Sequence, residues 1–296
     1  MTVQSTATFL RILRLSLISL SALFIDTSLL HAAEKASTTI FVKDALTSPN
    51  QPATIEAKLI SKGLLTSNPL GGEPLELMVG GKVVATAMTG GDGRAFFNYI
   101  PKAQGLAPIQ VRVGNSPRVA STEGQATLAV LEKRQPILMI ELSSLLEEPT
   151  PSRVSPRIPP MGIAIELERK PMPEAADELG KLTQFYYRVI YIVTLSAGGD
   201  GARVSAEARD WLKAHKFPTG YVMVLPPESQ ALGTKIDEFH AAGWKTIKIG
   251  VGRSKAFAEA FLQRRLEAVI VPEPTKGEVP RKAKVAKDWK EVRKKL

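Results

Sequence analysis

Residues able to do chemistry are few in this sequence, and most stand alone. There is no cysteine, which excludes disulfides, thiolate metal ligands and a thiol nucleophile. The three histidines, His31, His215 and His240, lie far apart in sequence, so a multi-histidine zinc site is not expected. His240 has no partner at metal spacing and reads as a surface or boundary residue. No Gly-x-Ser-x-Gly elbow occurs, which argues against a serine hydrolase. Gly250-x-Gly252 opens like a dinucleotide loop but lacks the third glycine. Gly90-Gly91-Asp92-Gly93 carries one acid, too few for calcium, and reads as a tight turn. Gly198-Gly199-Asp200-Gly201 reads as a flexible loop. The positive signal is Arg253 and Lys255, beside the start of an expected helix, where phosphate or carboxylate is favoured.

The elements that must hold these residues fall into two kinds. Between 37 and 132, apolar positions alternate with polar ones: Ile55, Ala57 and Leu59; Leu75, Leu77 and Val79; Ile109, Val111 and Val113. Period two puts one set on a buried face, and glycine turns between the runs predict a β-sandwich. From 133 to 275 short continuous apolar runs appear at 136–140, 189–193, 221–225, 246–250 and 268–271. Such runs suit strands buried on both faces. Helical patterns lie between them at 174–185, 205–215, 233–242 and 254–266. The alternation predicts an α/β Rossmann-like parallel sheet with helices on both faces. Trp211 and Trp244 are expected in its core.

The ends are distinct. Arg11 and Arg14 precede an apolar run, Leu15 to Ile25, and Leu30-His31-Ala32-Ala33 offers a small-residue cleavage site. This is the layout of a secretory signal over 1–33, and the chain is expected to be exported to the periplasm or cell envelope. The net charge is +10, and residues 276–296 hold nine lysines and arginines against three acids. Charge concentrated in a tail argues against a nucleic-acid-binding fold. A helix there would align Val285, Trp289, Val292 and Leu296 against lysines, a pattern suited to an anionic membrane surface or to docking on the protein. Residues 147–161 are proline-rich and predict a stiff excursion or a partner-binding loop.

The run Pro74-Leu75-Glu76-Leu77, Gly81 to Ala87 and Thr89 to Ala95, with Tyr99-Ile100-Pro101 following, resembles a bacterial immunoglobulin-like repeat. That resemblance implies a spacer, adhesive or docking module and specifies no ligand. The order of the second half resembles the haloacid-dehalogenase-like superfamily, nearest to its phosphatidate-phosphatase (lipin-type) branch. The resemblance places Glu141, Ser143 and Leu145 where active members carry an Asp-x-Asp-x-Thr loop. It places Ser196 and Lys235 at phosphate-binding positions and Gly250-Val251-Gly252-Arg253 where the last metal-binding acids stand. Ala208 to Leu212 and Phe217-Pro218-Thr219-Gly220 match the next helix and turn.

The departures from that pattern decide the expected function. Glutamate adds a methylene to the attacking group, and in-line attack tolerates errors of only about 1 Å. Serine at 143 is no proton donor near neutrality. The loop at 250–253 has no acid, so a magnesium site is not expected. The chain is therefore expected to be a non-catalytic binding or interaction protein with no metal or cofactor, partnered by an envelope protein or an anionic ligand. Ser196, Lys235 and Arg253 are the anion-binding candidates, with Glu141 as a salt-bridge partner of Lys235. The alternative is a magnesium-dependent phosphatase of phosphoesters, including lipids, in which Glu141 acts; a third reading is a structural envelope scaffold. The leader itself is testable: intact mass of the exported form should show loss of residues through Ala32 or Ala33.

Overall fold

The computed structural model describes residues 35–62, 67–147, 170–274 and 279–296. The expected leader lies outside the described residues, as does nearly all of the proline-rich stretch. The described chain is dominated by β-sheet, with several sheets and five helices.

The first nine strands are β1 (Thr38–Val42), β2 (Ala45–Thr47), β3 (Ala53–Lys62), β4 (Ser67–Pro69), β5 (Pro74–Val79), β6 (Lys82–Met88), β7 (Arg94–Tyr99), β8 (Gly105–Val113) and β9 (Glu123–Val130). They form a four-stranded sheet, in which β3 pairs with β1, β4 and β7, and a five-stranded sheet ordered β2-β9-β8-β5-β6. The alternation seen in the sequence is the reason two sheets can pack. Ile55, Ala57, Leu59, Leu75, Leu77, Ile109 and Val111 are all fully buried in one cluster. Gly93 closes the turn before β7 with φ +74, where a Cβ would lie 2.4 Å from the Leu59 carbonyl oxygen. Between β1 and β2 the chain crosses from one sheet to the other, and Asp44 sits in the crossing.

The remaining strands are β10 (Ile137–Glu141), β11 (Arg188–Thr194), β12 (Tyr221–Leu225), β13 (Ile247–Gly252), β14 (Glu267–Ile270) and β15 (Lys284–Val285). They make one parallel sheet in the order β12-β11-β10-β13-β14-β15. The helices are α1 (Ala175–Phe185), α2 (Gly201–Ala214), α3 (Ala231–Ala241), α4 (Lys255–Leu262) and α5 (Trp289–Lys295). Alternate residues of each strand feed opposite cores. Leu138 and Ile140 pack with α1, α2 and α5, while Ile137 and Met139 pack with α3 and α4. Trp211 and Trp244 are buried, as expected of core residues.

Three local expectations need correction. The Gly198–Gly201 stretch is more than a loop: Asp200 caps α2, accepting from the amides of Ala202 and Arg203 at 3.0 and 3.1 Å. That cap starts the helix at Gly201, ahead of the expected 205. Gly250 and Gly252 lie inside β13 and not in a loop. Their missing side chains let Phe257 and Phe261 of α4 lie directly on the strand, since a Cβ at Gly250 would meet Phe261 at 2.5 Å. The basic tail is built into the fold. β15 extends the sheet, Ala286, Trp289 and Val292 are fully buried, and the Trp289 indole donates to the Ser144 carbonyl at 3.2 Å. Lys290 pairs with Glu174, the N-cap of α1, at 2.5 Å, and Arg293 with Glu178 of α1 at 3.1 Å. The apolar side of this helix thus faces the protein's own core, which is the docking alternative.

The sandwich and the parallel sheet are joined by polar contacts around Asp44, whose side chain is wholly buried. Its carboxylate accepts from the amides of Thr127 in β9 and Val222 in β12 at 2.8 and 3.0 Å. Arg209 of α2 donates to it at 2.6 Å. The Asp44 amide donates to the Ser205 hydroxyl at 3.3 Å. Arg209 also donates to the carbonyls of Val42 and Gln125. Burial pushes the Asp44 carboxyl up from its ordinary value, and Arg209 and the two amides oppose that push. A second tie joins Lys58 of β3 to Asp200.

Two outcomes follow from the junction. Arg209→Ala leaves a buried carboxylate without its cation and should cost about 3–5 kcal/mol in denaturant unfolding. At Asp200 burial raises the carboxyl, but Lys58 and the helix amides outweigh it and hold the group below its ordinary value. A lowered folded pKa stabilises above the unfolded value and loses that contribution as pH falls through the folded one. Urea midpoints should therefore drop below a pH of about 4, and less steeply in Asp200→Asn. Asp44 carries the opposite sign, but it is common to both proteins and cancels in the comparison.

Candidate functional site

In the parallel sheet the strand order reverses between β10 and β13. At such a point the connections leave in opposite directions and open a crevice beyond the carboxyl ends of the strands. A shallow crevice of about 200 Å³ lies there. Its polar lining comes from Glu141, Thr194, Glu228, Ser229 and Ser254, and Phe257 supplies part of an apolar wall.

Glu141 ends β10 and is the best-held of these groups. One carboxylate oxygen accepts from the amides of Arg253 and Ser254 at 2.7 and 2.9 Å. The other accepts from the Ser254 hydroxyl at 2.7 Å. Ser254 is the N-cap of α4, and its hydroxyl oxygen also accepts from the Phe257 amide at 3.1 Å. The start of a helix carries unpaired amides and positive potential, and so attracts an anion. Here the anion is the chain's own carboxylate. Gly252 makes the approach possible, because a Cβ there would stand 2.7 Å from the Glu141 oxygen and 2.4 Å from Phe257.

The other expected site residues lie elsewhere. Ser143 sits in a 3-10 turn (Leu142–Leu145), and its buried hydroxyl has no hydrogen-bond partner. Leu145 is fully buried in the core. Ser196 is exposed two residues beyond the end of β11. Lys235 lies on α3, pairs with Glu238 at 2.6 Å and sits 6.0 Å above the Phe239 ring. Arg253 folds back, and its guanidinium donates to the Leu146 carbonyl. None of Ser196, Lys235 and Arg253 lines the crevice. Nor does Lys235 neutralise Glu141: a glutamate one helical turn away meets the lysine first, and helix amides meet the glutamate. His240 is half-buried and hydrogen-bonds the Ile247 carbonyl through Nε2 at 2.8 Å, a boundary position as expected.

Sequence reasoning missed Thr194 and Ser254. A serine directly before an apolar helix is a legible N-cap; Thr194 gave no signal beyond ending a strand. Among the described residues, no three of His, Asp and Glu stand together in a way that could hold a metal ion.

Removing the shared hydroxyl should show how tightly the crevice is tied. Ser254→Ala takes away both the cap and one Glu141 partner, and should lower unfolding free energy by about 1–2 kcal/mol.

No family model matches the chain, and no curated protein does. Among solved structures it is similar to D,D-heptose 1,7-bisphosphate phosphatase from Burkholderia thailandensis, at 13% identity over 53% of this chain and 96% of that one, with a TM-score of 0.37. It is also similar to the CARDB domain of the PF1109 protein from Pyrococcus furiosus, at 16% identity over 33% of this chain and 90% of that one, with a TM-score of 0.26. Scores this low carry no argument about activity.

Proposed function

We propose that this chain is an exported, non-catalytic interaction protein of the cell envelope. In this reading an immunoglobulin-like sandwich is joined to a degenerate haloacid-dehalogenase-like domain. The support for export is the basic, apolar and small-residue order of 1–33. The support for lost catalysis is one observation: Glu141, at the nucleophile position of the resemblance, accepts three hydrogen bonds from the cap of α4. A carboxylate so engaged has three of its roughly four lone pairs directed at amides and a hydroxyl and away from attack on phosphorus. It also occupies the Arg253 and Ser254 amides, two of the donors an incoming phosphate would meet.

The competing reading, a magnesium-dependent phosphatase of phosphoesters, requires Glu141 to leave those donors and find acidic neighbours. The other acid in the lining is Glu228, on the loop after β12. Binding of an anion by Ser196, Lys235 and Arg253 requires three side chains that point to different surroundings to converge.

A direct assay separates these readings. Purified chain given magnesium with an aryl phosphate or phosphatidate should show no turnover above that of Glu141→Gln. Turnover that Glu141→Gln abolishes would establish the enzyme instead. In parallel, inorganic phosphate should leave the thermal midpoint unchanged. A rise in midpoint that Lys235→Ala removes would favour the anion-binding protein.

A further inference from the structure

We infer that the amino edge of the parallel sheet, opposite the crevice, docks on an anionic lipid bilayer. Parallel strands all start on one side, so the segments leading into β10 to β14 share one face. These segments are 132–137, 185–188, 214–220, 243–247 and 264–267, and they hold seven lysines and arginines against two acids, Glu132 and Glu267. They are tied together at their bases. The Arg188 amide donates to the Pro136 carbonyl at 2.8 Å, and the Thr246 hydroxyl to the Lys133 carbonyl at 3.2 Å. Glu267 is held by Lys284 at 2.6 Å, Glu132 meets Arg134 at 3.9 Å, and Arg264 pairs with Asp237 at 2.6 Å. The other five cations, Lys133, Arg188, Lys216, Lys245 and Arg265, are exposed and have no ion-pair partner among the described residues.

Two of these cations stand where the backbone favours glycine. Helices α2, α3 and α4 all close with an amide that reaches back five residues: Phe217 to Leu212 at 2.9 Å, Trp244 to Phe239 at 2.8 Å and Leu266 to Phe261 at 3.1 Å. That closure puts the residue before the donor in the left-handed region, where glycine is the usual occupant. Helix α3 follows the rule with Gly243 at φ +97, but α2 and α4 carry Lys216 and Arg265, each at φ +60. A side chain there costs free energy that glycine does not, so stability does not account for either cation. The pull of helix C-termini on positive charge does not account for Lys133 and Arg134, which follow a strand.

Apolar groups accompany the charge. Phe185 and Tyr186, 85% and 64% exposed, are the two most exposed large apolar side chains among the described residues. They share a shallow hollow with Gln135 and Arg188. Aromatic rings set among lysines and arginines match the headgroup region of a bilayer, where rings enter the acyl boundary and cations meet lipid phosphates. Nucleic-acid bases also stack on aromatic rings, and the choice of lipid rests on the envelope reading above. Docking by this edge turns the crevice away from the membrane.

The full chain should co-sediment with vesicles of phosphatidylglycerol and phosphatidylcholine in equal parts, and not with phosphatidylcholine alone. The K216G/R265G variant should weaken that binding about thirtyfold, since each cation near an anionic surface contributes roughly fivefold. It should not lower the thermal midpoint, because glycine suits both positions. The F185S/Y186S variant should lower the binding that persists at high salt, where charge is screened. Both variants keep residues 1–33, so insertion of that apolar segment would hold both vesicle types and survive either substitution. Equal binding to both vesicle types, no binding to either, or an affinity unchanged in K216G/R265G or in F185S/Y186S would overturn the inference. So would tighter binding to a single-stranded oligonucleotide than to the anionic vesicles. Export is read separately, by intact mass, so this inference and the envelope reading can fail independently.

Discussion

A carboxylate taken out of water must be met by donors on every side, and Asp44 places that demand where the chain passes from one sheet of the sandwich to the other. The donors come from β9, from α2 and from β12. No single element could supply them. Burying a charge is unfavourable unless its partners are fixed, so the sandwich and the parallel sheet have one relative arrangement in which this group is satisfied. Helix α2 is shared between them: it packs on β1, β3 and β9 as well as on β11 and β12. The crevice at the carboxyl ends of the sheet is therefore set in a frame that includes the sandwich.

The second internal carboxylate, Glu141, does for the crevice what Asp44 does for the junction. In both places a negative group is held by backbone amides of distant segments together with one side-chain donor, a guanidinium at Asp44 and a hydroxyl at Glu141. The difference is exposure. Asp44 is sealed, whereas Glu141 lines open space with Thr194 and Glu228. Polar groups in an open crevice have the look of a binding site, yet the strongest donors there are already engaged within the chain. The crevice that remains is lined by acids, hydroxyls and apolar walls.

Much of the architecture was legible because it rests on periodicity. Alternation through Ile55–Leu59 and Leu75–Leu77 gave the sandwich, and the short apolar runs at 136–140 and 221–225 gave the parallel strands. Side-chain partnership was not legible. Lys235 pairs within its own helix with Glu238, and Glu141 reaches a helix that begins 114 positions later. Which donor meets a carboxylate depends on geometry across the sheet, and residue type alone cannot rank a lysine on one helix against amides on another. Asp44 drew no attention for the same reason: a single acid in a polar bend looks solvated until β12 is placed over it. Gly250 and Gly252 misled in the opposite direction, because glycine marks a close approach of side chains as readily as it marks a turn.

The Trp289 indole reaches the Ser144 carbonyl across 145 positions of chain, and Asp44 reaches Val222 across 178. Contacts of such span cannot form piecemeal, because each requires the intervening polymer to be in place first. Nor can they be released one at a time, since the turn beside the crevice and the far helix share a single core. The crevice floor thus inherits the cooperativity of global unfolding, and its amide hydrogens should be among the slowest in the molecule to exchange with solvent.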